Sequence, residues 1–68
     1  MEVEILGNIG EKIKKKRLEK HMKQCELAER AEMSNTFLSD IENGRSEPSI
    51  KTLGKIAVAL EIDIKKFF

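Results

Sequence analysis

The chain has 68 residues, enough for one small domain near the lower limit at which a hydrophobic core folds without covalent or metal support. It contains one cysteine and one histidine, so it forms no internal disulfide and cannot supply an ordinary four-ligand zinc site. No apolar run approaches the ~20 residues of a membrane span, and no signal peptide follows Met1. We therefore expect a cytoplasmic domain that is not an enzyme and needs no metal, cofactor, small-molecule ligand or membrane.

The formal net charge of +1 conceals an uneven distribution of charged residues. The basic residues concentrate in one short segment and are Lys12, Lys14, Lys15, Lys16, Arg17, Lys20 and Lys23. A polyanion responds to the local field rather than to the total charge, so this segment predicts a basic face. The alternative is an ordinary solvated helix surface, because lysine is a good helix former.

Apolar residues recur with the helical period of 3.6 along the chain, and strand-like alternation is nearly absent. This pattern predicts an all-α protein that folds as a compact five-helix bundle. Residues 1–7 form an N-terminal tail in this interpretation, and residues 8–68 form the domain. Asn8 is expected to cap a first helix that runs to about Lys20, and residues 24–31 form the second helix.

The second half of the chain carries clearer start and stop signals for helices. Ser34 is a good N-cap for a third helix that ends at Glu42, and the following Asn-Gly pair supplies the left-handed conformation that terminates it. A Pro-Ser pair opens a fourth helix over 48–60, and a last short turn over 63–68 begins at an aspartate cap.

The second and third helices have the composition of a pair that crosses closely and exposes one face. Ala28 is small where the two helices cross, and apolar side chains at helical spacing face inward. The outward positions of the third helix are Asn35, Thr36, Phe37, Ser39 and Asp40. Most of these are short, polar side chains that suit base edges and phosphates in a DNA groove. The alternative is that they face water and nothing more.

Over 9–68 the sequence resembles the phage repressor/Cro-type (Xre) helix-turn-helix family, whose members have a lambda-repressor-like fold. The matching segments are IGEKIKKKR, QCELAERA, MSNTFLSDIENG and EPSIKTLGKIAVALEIDIKKFF. The resemblance implies a sequence-specific DNA-binding transcriptional regulator, a dimeric repressor whose third helix (35–42) enters the major groove. The alternative is a protein-interaction adaptor, co-activator or antitoxin-type partner with the same fold.

The resemblance also assigns base contacts by position. Asn35 and Thr36 match positions that commonly touch bases; asparagine can bond adenine bidentately, and threonine offers a hydroxyl and a methyl to thymine. Asp40 matches another such position, where a carboxylate either accepts from cytosine N4 or excludes wrong sequences. Phe37 either contacts a thymine methyl or packs back into the core.

Phosphate contacts are expected along the edges of the same unit. Gln24 matches a residue that typically bonds a phosphate from the start of the second helix, where the helix dipole also favours an anion. The other expected phosphate contacts are Lys23, Ser39, Asn43, Arg45 and Ser46. Their alternative role is turn and cap formation, especially for Asn43.

A salt bridge between Arg17 and Glu42 is implied by the resemblance, and it would tie the first helix to the end of the third. Arg17 falls on the apolar stripe of its helix, where an unpaired charge would be costly and a bidentate carboxylate partner resolves the problem.

Three positions depart from the family pattern, which often has glycine there: His21, Glu32 and Glu61. If these residues are left-handed, each costs on the order of 1 kcal/mol relative to glycine. The alternative is altered turns that would shift the reading helix.

The last residues of the chain are more apolar than a small monomer easily buries. They predict a twofold dimer through Ile62, Ile64, Phe67 and Phe68, which would bind a pseudo-palindromic operator with its reading helices about 34 Å apart. The alternative is that these side chains close the core of one chain.

Overall fold

The computed structural model describes residues 9–68, so the expected Asn8 cap and the tail over 1–7 lie outside the described residues. Over 9–68 the chain forms four α-helices and one 3-10 helix, with no strand in that range: α1 (Ile9–Glu19), α2 (Gln24–Arg30), α3 (Asn35–Glu42), α4 (Ile50–Leu60) and the 3-10 helix (Ile64–Phe67). The prediction of an all-α bundle of five helical segments is confirmed. No helix among these is long and apolar enough to span a membrane.

Local capping explains why three of these helical segments begin where they do. The hydroxyl oxygens of Ser34 and Ser49 each accept a hydrogen bond from the backbone N–H three residues later, at 3.0 and 3.1 Å. A carboxylate oxygen of Asp63 accepts from the N–H two residues later at 2.9 Å. These contacts satisfy donors that the first turn of a helix leaves unpaired. Gly44, with φ +79°, follows the end of α3 and provides the predicted left-handed residue.

The core draws on all five helical segments. Its buried apolar side chains are Ile9, Ile13, Leu27, Ala28, Ala31, Leu38, Ile41, Leu53, Ile56, Ala57, Ala59, Leu60 and Phe67. The helices α2 and α3 pack against each other, α1 packs on α3, and α4 closes the other side against α1 and α2. This arrangement leaves one side of α3 at the surface.

The predicted dimer interface through the apolar end of the chain is wrong for Phe67, which is buried in the core. Its side chain is 0% exposed, and the 3-10 helix that carries it packs on α1 and α4. A phenylalanine buried in its own chain contributes about 1.5–3 kcal/mol to folding and has no surface left for a partner. Ile62 and Ile64 are half-buried against the same core, whereas Phe68 is 60% exposed. The alternative, that these side chains close the core of one chain, therefore holds for Phe67 and in part for Ile62 and Ile64.

The three turns that lack the family glycine keep the left-handed conformation. His21, Glu32 and Glu61 have φ values of 56°, 59° and 61°, and they follow the ends of α1, α2 and α4. Because a Cβ crowds the following carbonyl in this conformation, each costs about 1–2 kcal/mol. The turns are thus retained at an energetic cost, and the alternative of altered turns does not apply.

A buried ion pair joins α1 to the end of α3. Arg17 Nε donates to Glu42 Oε2 at 2.8 Å, and Nη2 donates to Glu42 Oε1 at 3.1 Å. The third guanidinium nitrogen, Nη1, donates to the carbonyl of Met22 at 2.9 Å. The two charged side chains are 9% and 2% exposed. The structure therefore contains the pairing that the resemblance implies, and it also ties in the turn after α1.

Gly10 allows the start of α1 to lie directly on the backbone at the end of α3. A Cβ at this position would collide with the carbonyl oxygen of Ile41 and lie 2.9 Å from that of Glu42. Since both neighbours are backbone atoms, no rotation of a side chain can relieve the overlap. This approach helps to place α1 so that Arg17 can reach Glu42.

Replacing Gly10 with alanine is expected to lower the free energy of unfolding by about 1–3 kcal/mol, because the added methyl must displace the backbone of α3. Gly54→Ala is the matched control: nothing lies within 4 Å of the added Cβ, and alanine in a helix interior should raise stability by about 0.5–1 kcal/mol. Urea unfolding measures both changes. A Gly10→Ala protein as stable as the parent would contradict the close approach.

Replacing Glu42 with alanine is expected to lower the free energy of unfolding by about 3–5 kcal/mol, because it leaves the Arg17 guanidinium buried without its carboxylate. The double variant Arg17→Met, Glu42→Leu removes both charges and should recover much of that loss. Thermal and urea unfolding of the single variants Arg17→Met and Glu42→Leu and of their combination form a double-mutant cycle, with Glu42→Ala measured beside them. Additive effects, or an unchanged melting temperature for Glu42→Ala, would refute the coupling.

Candidate nucleic-acid interface

The exposed side of α3 is connected to the buried ion pair by a relay of two side-chain amides. Gln24 Nε2 donates to Glu42 Oε1 at 3.1 Å, and Asn35 Nδ2 donates to Gln24 Oε1 at 3.2 Å. The relay brings together the start of α2, the start of α3 and the end of α3. The sequence predicts a role for each of these residues but not the hydrogen bonds between them.

The relay has a direction, because a carboxylate can only accept hydrogen bonds. Glu42 therefore takes the amide NH₂ of Gln24, which turns Gln24 Oε1 toward Asn35. Asn35 must in turn present its own NH₂ to that oxygen. Its Oδ1 and its second Nδ2 hydrogen form no hydrogen bond with another described residue. The side chain that begins α3 thus has one acceptor and one donor left for an outside partner.

The predicted reading positions on α3 are accessible to different degrees. Asn35 and Thr36 are exposed, and Phe37 is 37% exposed, so it does not pack back into the core. Ser39 and Asp40 are half-buried one turn further along. The first turn of α3 therefore exposes two polar side chains, Asn35 and Thr36, and the aromatic ring of Phe37.

Several predicted phosphate contacts are already engaged within the chain. Asn43 Nδ2 donates to the carbonyl oxygen of Ser39 at 2.9 Å and to its hydroxyl at 3.3 Å. Asn43 thus performs the cap role that the sequence left open as its alternative. Gln24 also uses both ends of its amide inside the chain, which leaves one Nε2 hydrogen for another partner.

Asp40 and Arg45, predicted as separate base and phosphate contacts, form an ion pair. Arg45 Nε donates to Asp40 Oδ1 at 3.0 Å, and the two side chains are 62% and 34% exposed. The sequence signal for this pair is that Asp40 precedes, and Arg45 follows, the Asn-Gly pair that ends α3, so the turn brings opposite charges close together.

The start of α2 is held by Lys23 and Glu26. The backbone N–H of Lys23 donates to Glu26 Oε1 at 3.1 Å, and the lysine side chain is exposed. Glu26 also lies 3.9 Å from Arg30, an exposed pair one helical turn apart. The Lys23 ammonium is therefore available at the edge of the unit formed by α2 and α3.

The described residues offer little for other chemistry. Within 9–68 there is no group of three or more His, Cys, Asp or Glu side chains that could hold a metal ion. Cys25 is an exposed free thiol on α2. Every buried side-chain nitrogen and oxygen in this range has a hydrogen-bond partner, so no buried polar atom is left aimed at an absent ligand.

Comparison with known proteins gives similarities over most of the chain. It is 55% identical over 56 residues to the ImmF control region 10 kDa protein of Bacillus phage phi105, covering 82% of this chain and 62% of that protein. It is 43% identical over 56 residues to the Immunity repressor protein of the same phage, covering 82% of this chain and 39% of the repressor. The chain thus spans less than two thirds of the length of either relative.

Similarity in three dimensions agrees with similarity in sequence. A crystal structure of a variant of the restriction-modification controller protein C.Esp1396I has a TM-score of 0.88 and 40% identity, covering 100% of this chain and 86% of that one. The profile of the helix-turn-helix family matches residues 13–67, which include all of α2, α3 and α4. The chain therefore belongs to the helix-turn-helix family, of the phage repressor/Cro (Xre) type that its sequence resembles.

Proposed function

We propose that this chain is a DNA-binding transcription regulator whose helix α3 enters the major groove. The observation that carries the proposal is the amide relay, which holds Asn35 at the start of an exposed helix before any partner arrives. The names of the two phage relatives and of the controller protein support a regulatory role, and the name of the immunity repressor favours repression. A cytoplasmic location, where DNA is accessible, belongs to the same proposal.

Asn35 is proposed to read adenine. In the major groove, adenine presents the N6 amine as a donor and N7 as an acceptor. The remaining Oδ1 acceptor and Nδ2 donor of Asn35 match these two atoms. Because the relay already fixes the Asn35 amide, this side chain does not have to be ordered when DNA binds. That ordering would otherwise cost about 0.5–1.5 kcal/mol of binding free energy. Thr36 and Phe37, the next exposed residues, are proposed to contact bases beside it, with thymine methyls as the apolar partners.

The phosphate backbone is proposed to contact the edges of the same unit. The exposed ammonium of Lys23 and the remaining amide hydrogen of Gln24 are available at the start of α2. Ser39 and Ser46, around the end of α3, complete the proposed set. Asn43 is left out because its Nδ2 already donates to Ser39. These contacts would position the protein without selecting a sequence.

A twofold dimer on a pseudo-palindromic operator is proposed as the binding form. One reading helix makes few base contacts, so two half-sites are the usual source of useful specificity. The exposed ring of Phe68, together with the half-buried Ile62 and Ile64, is the proposed contact between the two copies. Phe67 is excluded from this contact by its burial.

The second candidate is a protein-interaction module of the adaptor, co-activator or antitoxin type. It is favoured by two exposed apolar side chains on α4, Ile50 at 68% and Val58 at 77% exposure, which lie eight residues apart on one side of the helix. In that case the polar face of α3 need not read bases.

DNA binding is expected to weaken steeply between 50 and 200 mM salt, because bound lysines displace counterions from phosphates. Lys23→Ala should weaken binding to all sequences and reduce the salt slope by about 1. Asn35→Ala should relax discrimination at one base pair by about 1–3 kcal/mol. The parent chain is first used to select sites from random DNA. The affinity of the parent and of each variant for those sites is then titrated at several salt concentrations.

Lys55→Ala is the matched control for charge, because Lys55 is an exposed lysine on α4 outside the proposed contact set. It should leave both the salt slope and the sequence preference close to those of the parent. If the parent enriches no sequence from random DNA, the interaction module becomes the better function.

Phe68→Glu is expected to shift the chain from dimer to monomer, because it places a charge in the centre of the proposed contact. Sedimentation at tens of micromolar measures the change, and affinity for a site with two half-sites should fall with it. Val58→Ser removes a comparable exposed apolar side chain from α4 and should leave the dimer intact. A parent chain that sediments as a monomer would contradict the proposed contact.

A further inference from the structure

Arg45 is tied to the reading helix by its backbone as well as by its side chain. Its N–H donates to the carbonyl oxygen of Asp40 at 2.8 Å, and the N–H of Ser46 donates to the same oxygen at 3.3 Å. Together with the 3.0 Å contact from Nε to Oδ1, these bonds fold the loop after α3 back over the second turn of that helix. Arg45 therefore belongs to the surface of α3, although it follows the helix in sequence.

The ion pair changes what Asp40 can do. An unpaired carboxylate on this face would repel phosphates and the acceptor atoms of guanine. Here one carboxylate oxygen is occupied by Arg45, and the guanidinium neutralises its charge locally. Asp40 lies one helical turn after Thr36, so the two residues share the exposed side of α3. The pair thus places a cation beside the proposed base contacts.

The way Asp40 holds Arg45 determines which atoms of the guanidinium remain. Nε is engaged, whereas Nη1 and Nη2 donate to no other described residue, and the side chain is 62% exposed. A planar guanidinium then presents two parallel N–H donors. In the major groove, the base that offers two adjacent acceptors is guanine, through O6 and N7. A phosphate would bind the same donors, but the paired carboxylate offsets part of the guanidinium charge and so weakens its attraction for an anion.

We propose that Arg45 reads a guanine in each half-site and that Asp40 is the positioning residue that aims its guanidinium. This inference rests on the proposed DNA-binding function and refines it, because it moves Arg45 from the phosphate contacts to the base contacts. It also moves Asp40 from contacting a base to supporting the side chain that does. With Asn35 reading adenine, the two ends of α3 would select two different bases.

The test uses duplexes that carry the site selected from random DNA by the parent chain. In a second set of duplexes, each guanine in turn is replaced by 7-deazaguanine, which removes the N7 acceptor and keeps Watson–Crick pairing. The parent chain should lose about tenfold in affinity at one guanine in each half-site. Arg45→Ala removes both donors, so its affinity should no longer depend on that replacement, because nothing is left to bond N7.

Variants of Asp40 separate positioning from folding. Asp40→Asn should lose most of the discrimination at the same guanine while its melting temperature and salt slope stay close to those of the parent. Asp40→Glu retains a carboxylate and should restore part of that discrimination. A purely structural role for Asp40 would instead change stability and leave the profile of base preference unchanged, which would overturn the positioning role.

The remaining outcomes distinguish this inference from the function on which it rests. If Arg45→Ala weakens all sequences equally, lowers the salt slope by about 1 and shows no dependence on any guanine, Arg45 is a phosphate contact and only the inference fails. Selected sites without a constant guanine would also overturn it alone. If the parent chain selects no sequence, the regulatory function fails, and the inference fails with it.

Discussion

The ion pair between Arg17 and Glu42 is the contact on which the geometry of α3, the proposed reading helix, depends. Taking two charges out of water costs several kcal/mol for each ion, and their attraction offsets this only when every donor and acceptor is well placed. Here the carboxylate accepts from both Arg17 and Gln24, and the remaining arginine nitrogen binds the carbonyl of Met22. The pair therefore sets the position of α3 relative to α1, α2 and the turn between them.

The same carboxylate also controls chemistry at the surface. Because Glu42 can only accept hydrogen bonds, it sets the orientation of the Gln24 amide, and Gln24 sets that of Asn35. A buried charge thus determines which atoms an exposed side chain offers to a partner, across one intervening residue. The scaffold and the proposed reading surface are parts of one hydrogen-bonded unit. A substitution at Glu42 or Gln24 is therefore expected to change the orientation of Asn35 as well.

The domain tolerates local strain in order to keep this geometry. Three non-glycine residues hold left-handed turns, each at a cost of about 1–2 kcal/mol, and one glycine permits backbone contact between α1 and α3. A small core leaves little stability to spare, so such strain persists only where the surrounding packing requires it. Full burial of Phe67 at the end of the chain adds to that packing.

The amino-acid sequence alone determined the helices of the described residues, the caps of three of them and the family, because these depend on residues close together along the chain. The caps at Ser34 and Ser49 and the stop at Gly44 lie where local rules place them. Only the tertiary structure decided which apolar residues at the end of the chain are buried and which polar residues bond to each other. Burial of Phe67 and the bond from Asn35 to Gln24 depend on how separate segments pack, and no local pattern specifies that packing.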